Sequence, residues 1–401
     1  MRAAVCPASE TRRENPPSMP RAGTNRTPIY TAGVISSLES LDWHGFLERP
    51  PLPPPPPHRL DALAAQPILI TGAGGSIGSA LALRLAALRP PKLVLLDASE
   101  SNLYALERDL ERDWTAACPV TPVLGSAADR ALLDEIFSTH APRLTFHAAA
   151  FKQVPLMEQQ PLAAMANNIF ATETLTQAAE AHGARVVLVS TDKAVEPASV
   201  MGATKRVAEQ IVLSRGGTAL RLANVLASRD SVAEVFARQI AQGGPLTVTD
   251  PAARRYFLTL DEAVNLLLAA AAHTEPATLL SPVLPATHFI AALARFMARA
   301  LHPEFDLAIE FTGLRPGDKE TELLWSPDSR TSPVHFAGLV SIETAQPAPA
   351  QFAARLRSLR TALEARNLAQ ALAQLRAMVP DYTPSRAVQA LAHQSSPQVC
   401  V

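Results

Sequence analysis

Cysteine is nearly missing from this 401-residue chain: Cys6, Cys118 and Cys400 stand isolated, with no CxxC pair and no histidine cluster beside them. An odd, scattered set excludes a disulfide framework and suggests no zinc site, so no metal is expected and the setting should be reducing and cytoplasmic. An excess of charge of either sign is missing too. The 36 Lys and Arg nearly balance 37 Asp and Glu, for a net charge of −1, which removes the electrostatic case for nucleic acid and leaves any anionic ligand to local groups. No apolar run is long enough to cross a bilayer; the nearest, around Ala263 to Ala272, is bounded by Asp261, Glu262 and His273. The first residues mix Arg2, Glu10, Arg12, Arg13 and Glu14 with prolines and hold no apolar segment of the kind a secretory signal needs. A soluble protein without a transmembrane segment is the expectation.

What is present divides into four stretches. Residues 1–65 are expected to form an arm and linker, whose Pro-rich part, to about residue 57, ends in Pro53 to Pro57 and has the composition of an extended polyproline spacer. Within it Leu41, Trp43, Phe46 and Leu47 make a short apolar cluster suited to docking on the main body. Residues 66–223 alternate short apolar, β-branched runs with helical stretches, the rhythm of an α/β protein with a doubly wound parallel sheet. After residue 223 the rhythm breaks into shorter pieces, so 224–330 is expected to be a smaller substrate-binding lobe with elements returning to the core. Residues 331–401 are expected to be a helical extension, with one amphipathic helix over 353–378.

The alternating part opens on a dinucleotide signature. A strand over 67–71 runs into Gly72, Gly75 and Gly78 and then a helical run over 79–88. In such a turn the first glycine permits the tight bend, the second lets a pyrophosphate approach the backbone beside Ser76 and Ile77, and the third allows close helix packing. A second strand ends at Asp97, about twenty residues on, where a carboxylate accepts from an adenosine ribose hydroxyl, with Ser99 beside it. His147-Ala148-Ala149-Ala150 closes the fourth strand with small side chains on which a flat cofactor can lie. The stretch Ser190 to Lys205 leaves a buried strand at its carboxyl end, where open α/β sheets bind ligands. It brings together Thr191, Asp192 and Lys193, then Met201 and Lys205 four residues apart on one helix face.

Six motifs together resemble, in order and spacing, the extended short-chain dehydrogenase/reductases of the polysaccharide biosynthesis protein CapD type, which include UDP-N-acetylglucosamine 4,6-dehydratases. They are Thr71-Gly-Ala-Gly-Gly-Ser-Ile-Gly78, Leu95-Leu-Asp-Ala-Ser-Glu-Ser-Asn-Leu-Tyr104, His147-Ala-Ala-Ala-Phe-Lys-Gln-Val-Pro-Leu-Met-Glu158, Ser190-Thr-Asp-Lys-Ala-Val195, Val200-Met-Gly-Ala-Thr-Lys-Arg206 and Gly313-Leu-Arg-Pro-Gly317. The resemblance covers roughly residues 66–325. It implies a Rossmann-type fold, a UDP-sugar substrate, a tightly bound and recycled NADP or NAD, and a homo-oligomer. Many long members carry N-terminal membrane helices; this chain resembles a soluble short form.

The resemblance also implies roles. Thr191 hydrogen-bonds the C4 oxygen of the sugar, Lys193 is the C5 base, Asp192 is the acid for the C6 hydroxyl, and Lys205 binds the nicotinamide ribose. As a base near neutral pH, Lys193 needs a lowered pKa, which burial and the neighbouring cation Lys205 are expected to supply. Lys152, Asn224, Arg255 and Arg315 are candidates for the sugar nucleotide, arginine's planar fork being suited to a diphosphate. Met201 stands where these enzymes usually have a tyrosine proton acceptor; a thioether carries no proton, so an alternative triad of Thr191, Met201 and Lys205 is expected. Gln153, Ser126, Ala223, Ala227 and Glu234 are further departures from the common pattern. Alternatives on the same scaffold are a C4 epimerase, a C4 ketoreductase, and a non-catalytic nucleotide-sugar or dinucleotide-binding protein. Asp97 favours NAD, whereas Ser99 could turn to the 2′-phosphate of NADP.

Overall fold

A computed structural model describes residues 38, 40–114, 118–304, 306–334, 338–345 and 347–394. Readings that concern residues 1–37, including Cys6, and Cys400 lie outside these. The alternating segment forms six strands, β1 (Ile68–Thr71), β2 (Leu93–Asp97), β3 (Val120–Leu124), β4 (Leu144–His147), β5 (Arg185–Thr191) and β6 (Thr218–Leu222). They pair in parallel in the order β3-β2-β1-β4-β5-β6. Every residue of β1, β4 and β6 is buried, because helices cover both faces of a parallel sheet and only continuous apolar runs tolerate that. The strand order reverses between β1 and β4, which opens a crevice at their carboxyl ends.

The lobe strands are short: β7 (Asn224–Val225), β8 (Leu246–Val248), β9 (Arg254–Arg255), β10 (Phe257–Leu258), β12 (His288–Phe289) and β13 (Ile309–Phe311). They pair as β7 with β10, β8 with β13 and β9 with β12. Between them β11 (Thr278–Pro282) returns to the main sheet beside β6, and β15 (Leu339–Ile342) and β14 (Thr331–Pro333) extend it antiparallel to nine strands.

The most apolar run of the chain lies in the helix Leu260–Ala272, which is buried nearly all round in the core under the sheet. A helix apolar on every face belongs in such a core, and each fully buried leucine there contributes about 1.5–3 kcal/mol. Thr259 and Glu262 close its N-terminus with a reciprocal capping box. Among the described residues no helix is long and apolar enough to cross a membrane.

The apolar cluster of the arm does dock. Leu41, Trp43, Phe46 and Leu47 bury against Phe236, Ile240, Phe257 and Met297, and Arg49 fixes the chain beyond them with a two-pronged contact to Glu262 at 2.5 and 2.9 Å. Two expectations need correction. Pro57 begins the helix Pro57–Ala64 rather than ending an extended spacer, because proline's fixed φ suits the first helical position. The single helix expected over 353–378 is two, Pro349–Glu364 and Leu368–Met378. Arg366 turns left-handed (φ 50°) and Asn367 caps the second helix by accepting from the Gln370 N–H at 3.0 Å, a role asparagine favours over the helix interior. The two helices cover Val154, Met165, Phe170, Val207 and Ile211.

Candidate active site

The glycine turn joins β1 to the helix Ser76–Leu88. Gly72 is left-handed (φ 70°), and a Cβ there would sit 2.5 Å from the Ala149 nitrogen, so the turn and the Ala148–Ala149 backbone touch directly. A Cβ on Gly78 would lie 2.1 Å from the Gly72 carbonyl oxygen. Gly75 is the N-cap residue and no side chain caps this helix, so its first N–H groups face the crevice as an anion cradle. Ile77 packs against the core beneath. Asp97 stands at the adjoining strand end, its two oxygens accepting from the Gly74 N–H and the Ser99 N–H, both at 2.8 Å. Each oxygen keeps a second lone pair for a ribose hydroxyl.

A residue that sequence reasoning missed, Arg229, lies across this turn. Its N–H donates to Ser76 Oγ at 2.9 Å, and its guanidinium donates to the Gly74 carbonyl at 3.1 Å and to Asn102 Oδ1 at 2.9 Å. Lys152 donates to the Arg229 carbonyl at 2.5 Å, which places this expected sugar-nucleotide ligand beside the glycine turn. Ala227, one of the departures, adopts φ 57°; that conformation explains why glycine suits the position.

Beneath β5 and β6 sits a buried charge cluster. Glu209 accepts from Arg221 through both oxygens at 2.9 Å, from Arg206 at 2.9 Å and from Ser190 Oγ at 2.7 Å. These bonds hold its carboxyl below the usual range although burial alone would raise it. Glu209 belongs to the helix Val200–Ser214, whose start is capped by Ser199 and by Glu158, the latter accepting from the Val200 N–H at 2.7 Å. One turn before Glu209, Lys205 is only 4% exposed, and burial lowers its pKa to about 8 against the opposing pull of Glu209. His147 is fully buried between Thr71 Oγ1 (2.7 Å) and Thr172 Oγ1 (3.0 Å). Burial, with Lys205 adding to it, lowers its pKa to about 3 and keeps it neutral. Asn168, in a π-helical turn over Ala166–Ala171, accepts from the Phe151 N–H and donates to the Phe151 carbonyl and to Thr204 Oγ1. It pins the loop after β4 to the Val200–Ser214 helix.

The Lys205 shift has a measurable sign. The folded chain releases this proton near pH 8, whereas an unfolded lysine keeps it to about pH 10.4. Between those values the unfolded chain binds more protons, so this group makes stability rise with pH. Denaturant midpoints from pH 8 to 10 should rise more steeply in the wild type than in Lys205→Met; parallel profiles would contradict the buried, shifted amine.

At the carboxyl end of β5 four of the expected site residues converge. Thr191 Oγ1 donates to Asp192 Oδ1 at 2.9 Å, and Lys193 Nζ donates to the same oxygen at 2.9 Å and to Asn224 Oδ1 at 3.2 Å. Asn224 Nδ2 donates to Asp192 Oδ2 at 3.3 Å. Asp192 is fully buried, and Glu322, with 3% exposure, approaches Lys193 Nζ to 3.9 Å. Burial pushes the Lys193 pKa down, but Asp192 and Glu322 outweigh it, so the net direction is upward despite Arg255 nearby. The lowered pKa expected for a base is therefore not found, because two carboxylates face the amine, and the cation acting on it is Arg255 rather than the expected Lys205. Met201 is buried among Val154, Met157, Phe170 and Val200, with no proton-bearing atom.

The two expected arginines are placed differently. Arg255 donates to the carbonyls of Arg254, Lys319 and Glu320 at 2.7–2.9 Å, and so fixes the segment that carries Glu322. Arg315 is exposed and donates to Asp318 at 2.9 Å. Among the described residues no group of three His, Cys, Asp or Glu side chains is arranged to hold a metal ion. Of the residues missed in the sequence, Glu209 had a signal, a lone acid in an apolar helix four residues after Lys205. Arg229, Asn168 and Glu322 had none, since each is recruited from a distant segment.

The pattern of the polysaccharide biosynthesis protein family matches residues 68–344. The chain is 36% identical over 299 residues to the capsular polysaccharide biosynthesis protein CapD of Staphylococcus aureus, covering 72% of this chain and 50% of that protein. It thus spans about half the length of the curated relatives it matches first. It is 33% identical over 276 residues to the UDP-glucose 4-epimerase of Rickettsia canadensis, covering 65% of this chain and 78% of that one. Among solved structures it is similar to Pen from Bacillus thuringiensis, with 26% identity, a TM-score of 0.65 and coverage of 71% and 89%. Sheet order, glycine turn and matched span agree that this chain belongs to the polysaccharide biosynthesis protein family, built on a Rossmann-type fold.

Proposed function

We propose that this chain is a nucleotide-sugar 4,6-dehydratase acting on UDP-N-acetylglucosamine or a close relative, with NAD or NADP held tightly and recycled. The observation that carries this reading is the Thr191–Asp192–Lys193 network at the crevice, a hydroxyl, a buried carboxylate and an amine within 2.9 Å contacts. The uncapped helix after Gly75 and the lone pairs of Asp97 fit a dinucleotide. Such a cofactor supplies, when bound, hydride acceptance from C4 and hydride return to C6.

The chain's own groups handle the protons. Met201 carries none, so the C4 hydroxyl proton passes to Thr191 Oγ1 as that hydroxyl gives its own to Asp192 Oδ1, along the hydrogen bond already present. Asp192 thereby becomes the acid. One of the two carboxylates holding the Lys193 ammonium is then neutral, and burial favours the free amine. Lys193, having released its proton to solvent, removes the C5 proton; the C6–O bond breaks, Asp192 protonates the leaving oxygen, and water departs as a C5–C6 double bond forms. Lys193 later returns its proton to C5. Lys205 binds the nicotinamide ribose, Asn224 orients the Asp192–Lys193 pair, and Lys152, Arg255 and Arg315 serve the sugar nucleotide.

A C4 epimerase is the second reading, favoured by the similarity to a UDP-glucose 4-epimerase; it would use Thr191 and Lys205 and leave Asp192 and Lys193 without a chemical step. Mass spectrometry of UDP-N-acetylglucosamine incubated with the purified protein separates the two. Loss of one water without net cofactor turnover is the expected result. Unchanged mass with an inverted C4 centre would replace the dehydratase by the epimerase, and cofactor consumption would point to a ketoreductase. Thermal stabilisation by the nucleotide sugar without product would leave a binding protein. Light scattering after size exclusion tests the homo-oligomer we also propose.

A further inference from the structure

We infer that Glu322 is a positioning residue that governs the charge on Lys193, acting through that amine rather than by touching substrate. Four charged side chains alternate in sign across the crevice. Asp192 Oδ1 lies 2.9 Å from Lys193 Nζ, Lys193 Nζ lies 3.9 Å from Glu322 Oε1, and Glu322 Oε2 lies 3.6 Å from Lys319 Nζ. The order places each amine beside a carboxylate. Asp192 and Lys193 come from the turn after β5, whereas Glu322 and Lys319 come from the lobe segment beyond β13.

That segment is held in place at several points. Arg255 donates to the Lys319 and Glu320 carbonyls at 2.8 and 2.9 Å, the Arg254 N–H donates to the Glu320 carbonyl at 2.8 Å, and Lys319 Nζ donates to the Val195 carbonyl at 2.7 Å. Glu322 is therefore carried to the amine on fixed backbone, not on a free loop. It is 3% exposed, and its Oε2 atom is buried without a hydrogen-bond partner among the described residues. A buried carboxylate oxygen left so bare is costly, and among the described residues its ion pairs are with the Lys193 and Lys319 ammonium groups.

This arrangement divides the restraint on Lys193. The charged groups facing its amine are Asp192, Glu322 and Arg255, with Lys319 beyond Glu322. In the dehydratase reading, on which this step rests, Asp192 becomes neutral when it takes the C4 hydroxyl proton. Glu322 then remains as the one carboxylate against the Lys193 ammonium, and Lys319 tempers it by drawing the same carboxylate away. Asp192 would time the elimination while Glu322 sets the pH at which the free amine is available.

Glu322→Gln and Lys319→Met should shift the chemistry of Lys193 in opposite directions. The direct probe is competitive acetylation of the whole protein with acetic anhydride across pH, Lys193 being quantified in its peptide by mass spectrometry without any sugar present. Glu322→Gln should move half-maximal labelling of Lys193 to lower pH by about one unit, so that labelling below the midpoint rises about tenfold. Lys319→Met should move it upward and lower the labelling at the same pH. The pH profile of kcat/KM for elimination should shift its acid limb with the same signs, with KM little changed.

A Lys193 labelling profile that stays put in both variants would overturn the inference. Should Glu322→Gln fail to fold, Lys319→Met alone decides it, an unchanged profile again being fatal. The labelling shift requires no turnover, so a wild-type protein that makes no dehydrated product would defeat the proposed function while these profiles still judged Glu322.

Discussion

Lys193→Ala should lower the rate of elimination by about 10²- to 10⁴-fold, the range typical of a removed acid or base, and leave dinucleotide binding intact. The separation is geometric. The Lys193 amine contacts Asp192 and Asn224 at the end of β5, whereas the cofactor cradle we propose is the turn after β1 with Asp97. Lys193→Arg sharpens the test, because a guanidinium keeps the positive charge beside Asp192 and Glu322 but does not deprotonate in proteins. An arginine variant that folds, binds NAD or NADP and yields no dehydrated sugar would assign Lys193 a proton-transfer role and not merely a structural charge. An alanine variant with wild-type turnover by mass spectrometry would remove Lys193 from the mechanism.

The largest stability loss is expected from Glu209→Gln. Breaking a buried ion pair from one side costs about 3–5 kcal/mol, against a total stability of about 5–15 kcal/mol for a typical domain. Glu209 has no exposed surface and neutralises Arg221, itself 4% exposed, while also accepting from Arg206 and Ser190. The amide preserves the volume but abandons those cations in the core. Urea unfolding should show a midpoint falling at nearly constant slope. Replacing Glu209 and Arg221 together by Gln and Met should recover part of the loss, since no unpaired charge then remains between them. A single variant within about 0.5 kcal/mol of wild type, the range of an ordinary surface substitution, would show that the cluster is not a structural anchor.

Much of the glycine turn and its Asp97 neighbour was legible in the chain because the geometry is local. Gly72, Gly75, Gly78 and Asp97 lie within one β-α-β unit, where steric demands on a turn act over a few residues and leave a pattern of small and acidic side chains. The strand boundaries were legible for a similar reason, since burial on both faces of a parallel sheet demands continuous apolar runs. The break at Asn367 was readable as a helix cap but was masked by the apolar periodicity running through it.

The sequence alone determined the parallel sheet, the glycine cradle and the gathering of Thr191, Asp192, Lys193 and Lys205 at the end of one strand and the helix after it. Periodicity and turn sterics are short-range, and the chain records them directly. Only the tertiary structure decided which charged side chains surround those groups. Arg229 reaches the glycine turn from a distant loop, Arg221 and Glu209 meet from different elements, and Glu322 arrives from the lobe to face Lys193. Electrostatic environment depends on which segments meet and how much water they exclude, so the lysine expected to lose its proton easily has its pKa raised instead, by its neighbour Asp192 first and then by Glu322, a carboxylate that no local pattern announces.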